Sequence, residues 1–384
     1  MAITKATGPV LGNYPVGTGN VALGDTALDS TASDGINNTA IGNAALTANT
    51  TGDNHVAVGY NALTANTTGR NNVAIGYTSM AANTEGTGNT AVGLSSLDVN
   101  TTGDNNVALG AGALGANTTA DDNTAVGYAA LNVNTTGTRN TAIGSFALDA
   151  NTTGDKNTGL GYGSLSTNTT GTLNVAIGNE PLLSNTTGNN NVAMGHQALK
   201  SNSTASNNTA IGHEALEANT TGHSNVAVGA LSLDANTEGD YNVAMGYYAL
   251  GAATTADKNV AVGSGAAQSI TTGANNVAIG ADSLDANTTA SNNTAVGKDA
   301  LGANTTGDRH TAVGQGALEA NTTGGDNTAV GTISMQANTT GSDNAALGRR
   351  TLLVNTTGNS NVAVGKSALA ANTTASNNTA VGFD

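Results

Sequence analysis

The sequence predicts an all-β chain, a parallel β-solenoid of about 22 coils with 17 residues in each, and three observations carry the prediction. A tetrapeptide ending in Gly recurs at a fixed interval along almost the entire chain. Each copy alternates in side-chain size with the period of a strand, and each is followed at a constant offset by Asn-Thr-Thr-Gly or a close variant. A helix would not cross that second motif, because Asn and Thr favour caps and turns and Gly carries an entropy penalty.

The Gly marks the register. It stands at Gly24 and Gly42 and then every 17 residues to Gly382, which makes 22 copies. One unit reads approximately Asn-(Thr/Val)-Ala-(Val/Ile/Leu/Met)-Gly-x-x-(Ala/Ser)-Leu-x-Ala-Asn-Thr-Thr-Gly-x-x. A unit this short holds neither a helix pair nor a four-stranded propeller blade, so one unit is one structural layer.

The strand comes first in each unit. In Val56-Ala57-Val58 the first and third residues share a face and Ala57 takes the other. The larger Val and Ile residues are expected to form the interior, facing a Leu from the second segment (Leu46, Leu63, Leu97, Leu114, Leu131, Leu148), with Met80, Met335 and Ala267 as variants. Ala267, Ala253 and Ile270 fall close together, which predicts a local thinning there.

That orientation turns the strand Ala outward, where it is Ala in 21 of 22 copies, Gly159 being the exception. A solvent-facing position should drift to polar residues, whereas close approach of another backbone restricts it to the smallest side chains. Ala57, Ala74, Ala91, Ala108, Ala125 and Ala142 are therefore the expected interface with sister chains. The recurring Gly admits the same reading or a positive φ at that corner.

Two Asn columns complete the unit. The opening Asn (Asn20, Asn38, Asn72) yields only to His55 and His310, and the second (Asn49, Asn66, Asn83) only to Ala253 and Ile270. Amides stacked one coil apart can bond along the axis and to turn backbone. The second Asn also begins Asn-Thr-Thr, a formal N-glycosylation match that follows from the turn itself. The Gly closing the turn becomes Ala at 120, 205, 256, 290 and 375, so this corner needs no left-handed residue. Variation concentrates after it, as in Asp53-Asn54 and Arg70-Asn71, and after the strand Gly, at Tyr60, Tyr77, Tyr128, Tyr162 and Tyr247. Those columns are the expected exposed rim.

Composition narrows the function. Among 384 residues there are 52 Gly, 3 Pro, 2 Phe and no Cys or Trp. Leu, Ile, Val and Phe make up roughly a sixth, a level that would suggest disorder were it not for the periodicity. With 11 basic against 26 acidic residues and a net charge of −15, the chain lacks the basic stripe that nucleic acid requires. No run approaches a membrane span, and Met1 to Pro9 contains no apolar signal core, so membrane insertion is not expected. No cofactor is expected, and no acid, base and nucleophile converge. His196 and His213 share a column with Glu214 beside them, close enough for a metal ion but without an obvious further ligand, so they read as exposed residues of a variable column. Residues 1–19 are expected to be a cap or attachment segment and 20–384 the repeat shaft, whose last unit stops one strand in, at Thr379–Asp384.

The motif Asn-Val-Ala-Ile-Gly (Asn72 to Gly76, Asn174 to Gly178, Asn276 to Gly280) resembles the head repeats of trimeric autotransporter adhesins. The longer unit, with Ala-Leu-x-x-Asn-Thr-Thr-Gly-x-x-Asn-Thr-Ala-Val-Gly, is still more similar to shaft repeats of phage tail fibres that carry a self-cleaving C-terminal chaperone domain. The resemblance covers residues 20–384 and implies a left-handed β-roll associating as a homotrimer. A coiled-coil stalk, an anchor, a signal peptide and the chaperone domain are the parts of those families not expected among residues 1–384. The expectation is a non-enzymatic fibre on a virion or similar particle, outside the cell, meeting a cell-surface glycan or receptor. A bacterial surface adhesin, an extracellular filament subunit and an ice-binding solenoid are the alternatives.

Overall fold

In a computed structural model, residues 17–30 and 34–383 are described, and they form a parallel β-solenoid with no α-helix among them. The chain divides into two units, Met1–Asn190 and Asn191–Asp384. The first carries ten strands, from β1 (Val21–Leu23), β2 (Thr39–Ile41), β3 (Val56–Val58) and β4 (Val73–Ile75) to β10 (Val175–Ile177). The second carries twelve, from β11 (Val192–Met194) and β12 (Thr209–Ile211) to β22 (Thr379–Val381). Each strand is three residues long, and within a unit each pairs in parallel with the next coil at identical register, Val56 over Val73, Ala57 over Ala74 and Val58 over Ile75. A repeat without insertions makes this possible, because every residue meets its own counterpart one coil away.

The interior is the reverse of the expected one. Ala57, Ala74, Ala91, Ala108, Ala125 and Ala142 are all 0 % exposed in the single chain, so they have no surface left for a sister chain. They face the fully buried Leu column, while the larger Val, Ile, Leu and Met residues on either side point outward. The physical reason is room. A 17-residue coil that must hold a Leu and two Asn side chains leaves a methyl-sized space beneath the strand. At Gly159 even that is taken, since a Cβ there would lie 2.8 Å from Ser164 Oγ.

The strand Gly residues answer the same geometry and not a partner chain. Gly59 has φ 137°, and a side chain there would strike the carbonyl of Gly76 in the next coil of the same chain. Two further positions per coil take left-handed backbone and are mostly or wholly non-glycine, illustrated by Asn61 (φ 54°) and the core residue Leu63 (φ 55°), and the position before the opening Asn does the same at Asn71 (φ 56°). The coil thus turns its corners on left-handed residues, at a cost that packing and coil-to-coil hydrogen bonds must offset.

The expected thinning near Ala267 does not interrupt the stack. Ile270 is fully buried in a column that from Asn49 onward holds Asn in every other coil but the preceding one, where it is Ala253, and this returns apolar volume to the interior, while the Ala267 amide still donates to the Ser283 carbonyl at 2.9 Å. Of the expected cap, residues 1–16 lie outside the described residues. Stacking already includes Thr18, whose carbonyl accepts from the Asn37 amide at 3.0 Å. Across the 18-residue interval between Gly24 and Gly42, β1 and β2 still pair in the common register.

Candidate functional site

Two amide ladders hold the coils in register. In the first, each opening Asn accepts the backbone N–H of its successor and donates to a turn carbonyl. Asn72 Oδ1 accepts from the Asn89 amide at 2.9 Å, and Asn72 Nδ2 donates to Gly86 O at 2.7 Å. In the second, Asn66 Nδ2 donates to Asn49 Oδ1 at 2.9 Å and Asn83 Nδ2 to Asn66 Oδ1 at 2.9 Å. These side chains are fully buried, and each bond satisfies a group that burial would otherwise penalise. The turn residue meets both ladders through its carbonyl, and Ala120 supplies the same acceptor to Asn106 and Asn117. The buried, bonded Nδ2 also leaves the Asn-Thr-Thr match no free amide to glycosylate in the folded chain.

Exceptions to the ladders follow the same logic. Ala253 cannot donate, so Asn236 Oδ1 is left without a donor. His55 substitutes for Asn as an isostere: its Nδ1 accepts the Asn72 amide at 3.2 Å and its Nε2 stands 2.8 Å from Gly69 O. Accepting at Nδ1 places the proton on Nε2, which donates to that carbonyl. Burial holds the His55 pKa down at about 4, against the smaller raising effects of the hydrogen bonds with Gly69 and Asn72 and of the Asp53 charge. His310 repeats the pattern with Asn327, and burial lowers its pKa too.

The rim columns are less free than sequence variation suggests. The first variable residue after the turn often caps the backbone of the preceding coil: the Thr87 amide donates to Asp104 Oδ1 at 2.7 Å and the Thr138 amide to Asp155 Oδ1 at 2.7 Å. The second is the left-handed position, which accounts for its many Asn residues and for Gly88. Neither role leaves an apolar signature, so the alternation of residue types did not disclose them.

All five rim tyrosines are exposed: Tyr60, Tyr77, Tyr128, Tyr162 and Tyr247. The coil spacing brings some of them together. Tyr60 and Tyr77 stack with ring centroids 5.2 Å apart. Tyr128 and Tyr162 stand two coils apart and are joined by Phe146, which meets them edge-on at 5.3 and 6.1 Å. Tyr247 contacts Tyr248. Phe146 and Tyr248 were legible in the sequence as aromatics one position beyond the Tyr column.

The feature that inspection of the sequence misplaced is the outer sheet face. Ile41, Ile75, Leu109, Ile143 and Leu160 in the first unit, and Met194, Ile211, Met245, Ile279 and Leu347 in the second, are each between 37 % and 52 % exposed. In all 22 copies this third strand residue is aliphatic or Met. At on the order of 60 Å² each, the five residues of either unit expose roughly 300 Å² in that column alone, within the range of the largest apolar patch on a monomer. No helix among the described residues is long and apolar enough to cross a membrane. Neither the family models nor the curated proteins compared with the chain give a match.

Proposed function

We propose that the protein is the shaft of a non-enzymatic homotrimeric fibre, in which the outer sheet faces of three chains pack together and the aromatic rim meets a cell-surface glycan or receptor. The observation that carries this reading is the unbroken apolar column of the outer face. A position that lies on the outer face in every coil, mostly half-buried where it is Val and mostly exposed where it is Ile, Leu or Met, would tolerate Ser, Thr, Lys or Asp if water were its neighbour, yet it never takes one. The residue beside the strand Ala therefore takes the interface expected of Ala57 and its counterparts, because it has exposed area to bury. The first strand position, Thr or Val in every copy but Ala345, flanks that column on the same face. Stoichiometry and setting rest on the resemblance of Asn-Val-Ala-Ile-Gly and its longer unit to trimeric adhesin heads and tail-fibre shafts. A surface adhesin and an extracellular filament share this interface.

Native mass measurement tests the proposal. The wild-type chain is expected as a trimer, and Ile75→Glu with Ile143→Glu, which place charges on the outer face without entering the interior, should release monomers. A wild-type monomer, or a trimer indifferent to both substitutions, would refute it.

Ice binding has one observation in its favour. The second Thr of the turn is exposed at Thr51, Thr68, Thr102, Thr119, Thr136 and Thr153, interrupted by Glu85. Thermal hysteresis of purified protein decides between the two readings.

A further inference from the structure

We propose that His196, His213 and Glu214 form a surface site for a divalent transition-metal ion, with Zn²⁺ as its best match. The parallel register of β11 and β12 sets Met194 beside Ile211, and the residue two places beyond each is His196 and His213. Their rings stack 5.1 Å apart at 13°, so two imidazoles present their edges to one patch of solvent. Glu214 Oε1 stands 3.6 Å from His213 Nε2, and the Glu214 amide donates to the His196 carbonyl at 2.9 Å, which fixes the backbone that carries the carboxylate. One ligand atom from each of the three lies within 4.8 Å of the others, and among the described residues no other His, Cys, Asp and Glu group meets that spacing.

Coordination at ~2.0–2.2 Å requires the donors to draw closer by somewhat more than an ångström. Both His side chains are exposed, so rotation about their own bonds supplies that movement while the hydrogen-bonded coil stays in place. Two imidazole nitrogens and one carboxylate oxygen, with water completing a tetrahedron, suit Zn²⁺, Ni²⁺ or Cu²⁺ and disfavour Mg²⁺ and Ca²⁺. The other three histidines are committed elsewhere: His55 and His310 to the amide ladder, and His223 to Asp240, whose Oδ2 is 3.0 Å from its Nε2. The bound ion would tie two successive coils together at the rim. This site is independent of the fibre reading, since it lies on the rim and not on the outer sheet face.

The test is titration calorimetry of the tag-free full chain with ZnCl₂ at neutral pH, together with electron paramagnetic resonance of the Cu²⁺ form. One Zn²⁺ per chain is expected, unaffected by excess Mg²⁺. Binding should be lost in His196→Ala and His213→Ala, weakened in Glu214→Gln, and retained in His223→Ala. The Cu²⁺ spectrum should show coupling to two nitrogens. Absence of saturable binding, binding that survives His213→Ala, or a spectrum with fewer than two nitrogen ligands would overturn the proposal. These substitutions sit at exposed or half-buried positions, and circular dichroism of each variant confirms that the coil stack is intact.

Discussion

Replacing His55 with Asn restores the residue that occupies the same column in nearly every other coil, and its effect is confined to acid. In the folded chain the imidazole stays neutral down to about pH 4, because burial opposes its charge. In the unfolded chain it protonates near 6.5. Below that value the unfolded state binds the additional proton, so stability is unaffected above about pH 6.5, declines as the pH falls towards 4, and levels off below both values. The gap of about 2.5 pH units corresponds to roughly 3 kcal/mol at its fullest and about 2 kcal/mol at pH 5. Long repeat arrays do not unfold as one cooperative unit, so a local readout is preferable to a melting curve. The Asn72 amide supplies it, since it donates to His55 Nδ1. Between pH 7 and 5 its hydrogen-exchange protection, corrected for intrinsic rates, should fall about twentyfold in the wild type and much less in His55→Asn, in which the carboxylate background is unchanged. Equal losses in both proteins, or an imidazole titrating at 6.5 or above, would refute the assignment of a buried neutral isostere.

Other substitutions probe the remaining parts of the coil. Ala125→Val should destabilise by about 1–3 kcal/mol in denaturant unfolding, because the added methyls enter a filled interior; an unchanged fold with altered oligomer mass would return the strand Ala to the outside. Asn151→Ala deprives Asn134 Oδ1 of its donor and Asn168 Nδ2 of one acceptor, with an expected cost of about 1–3 kcal/mol for the unsatisfied oxygen. Local protection around residues 134–168 reports it, and no loss there would show the ladder to be dispensable. Leu173→Asn addresses an exposed Leu at φ 60°, and a gain of about 1 kcal/mol is expected from relieving left-handed strain. A loss would mean that this Leu packs against something the single chain does not contain.

The amide ladders and the exposed rim could be anticipated from residues alone, because a fixed 17-residue interval superposes each column on itself whatever the coil's path. Asn72 over Asn89 and Tyr60 over Tyr77 need only the period. The left-handed backbone at Leu63 could not be read in the same way: Leu has no preference for that conformation, and its position is dictated by the corner it turns. The meeting of Tyr128, Phe146 and Tyr162 likewise depends on the angle between neighbouring columns, which spacing along the chain does not contain.

What the sequence by itself determined was the number of layers, the parallel register and the separation of each strand into two faces. Which face lies inside was decided only by the tertiary structure. Alternation with period two distinguishes Ala from its neighbours but is symmetric between inside and outside, and ranking by hydrophobicity selects Val and Ile for the interior. The closed coil reverses that ranking through volume. With Leu, two buried amides and three-residue strands enclosed by 17 residues, only a methyl fits beneath the sheet, and the larger aliphatic side chains are left on its outer face.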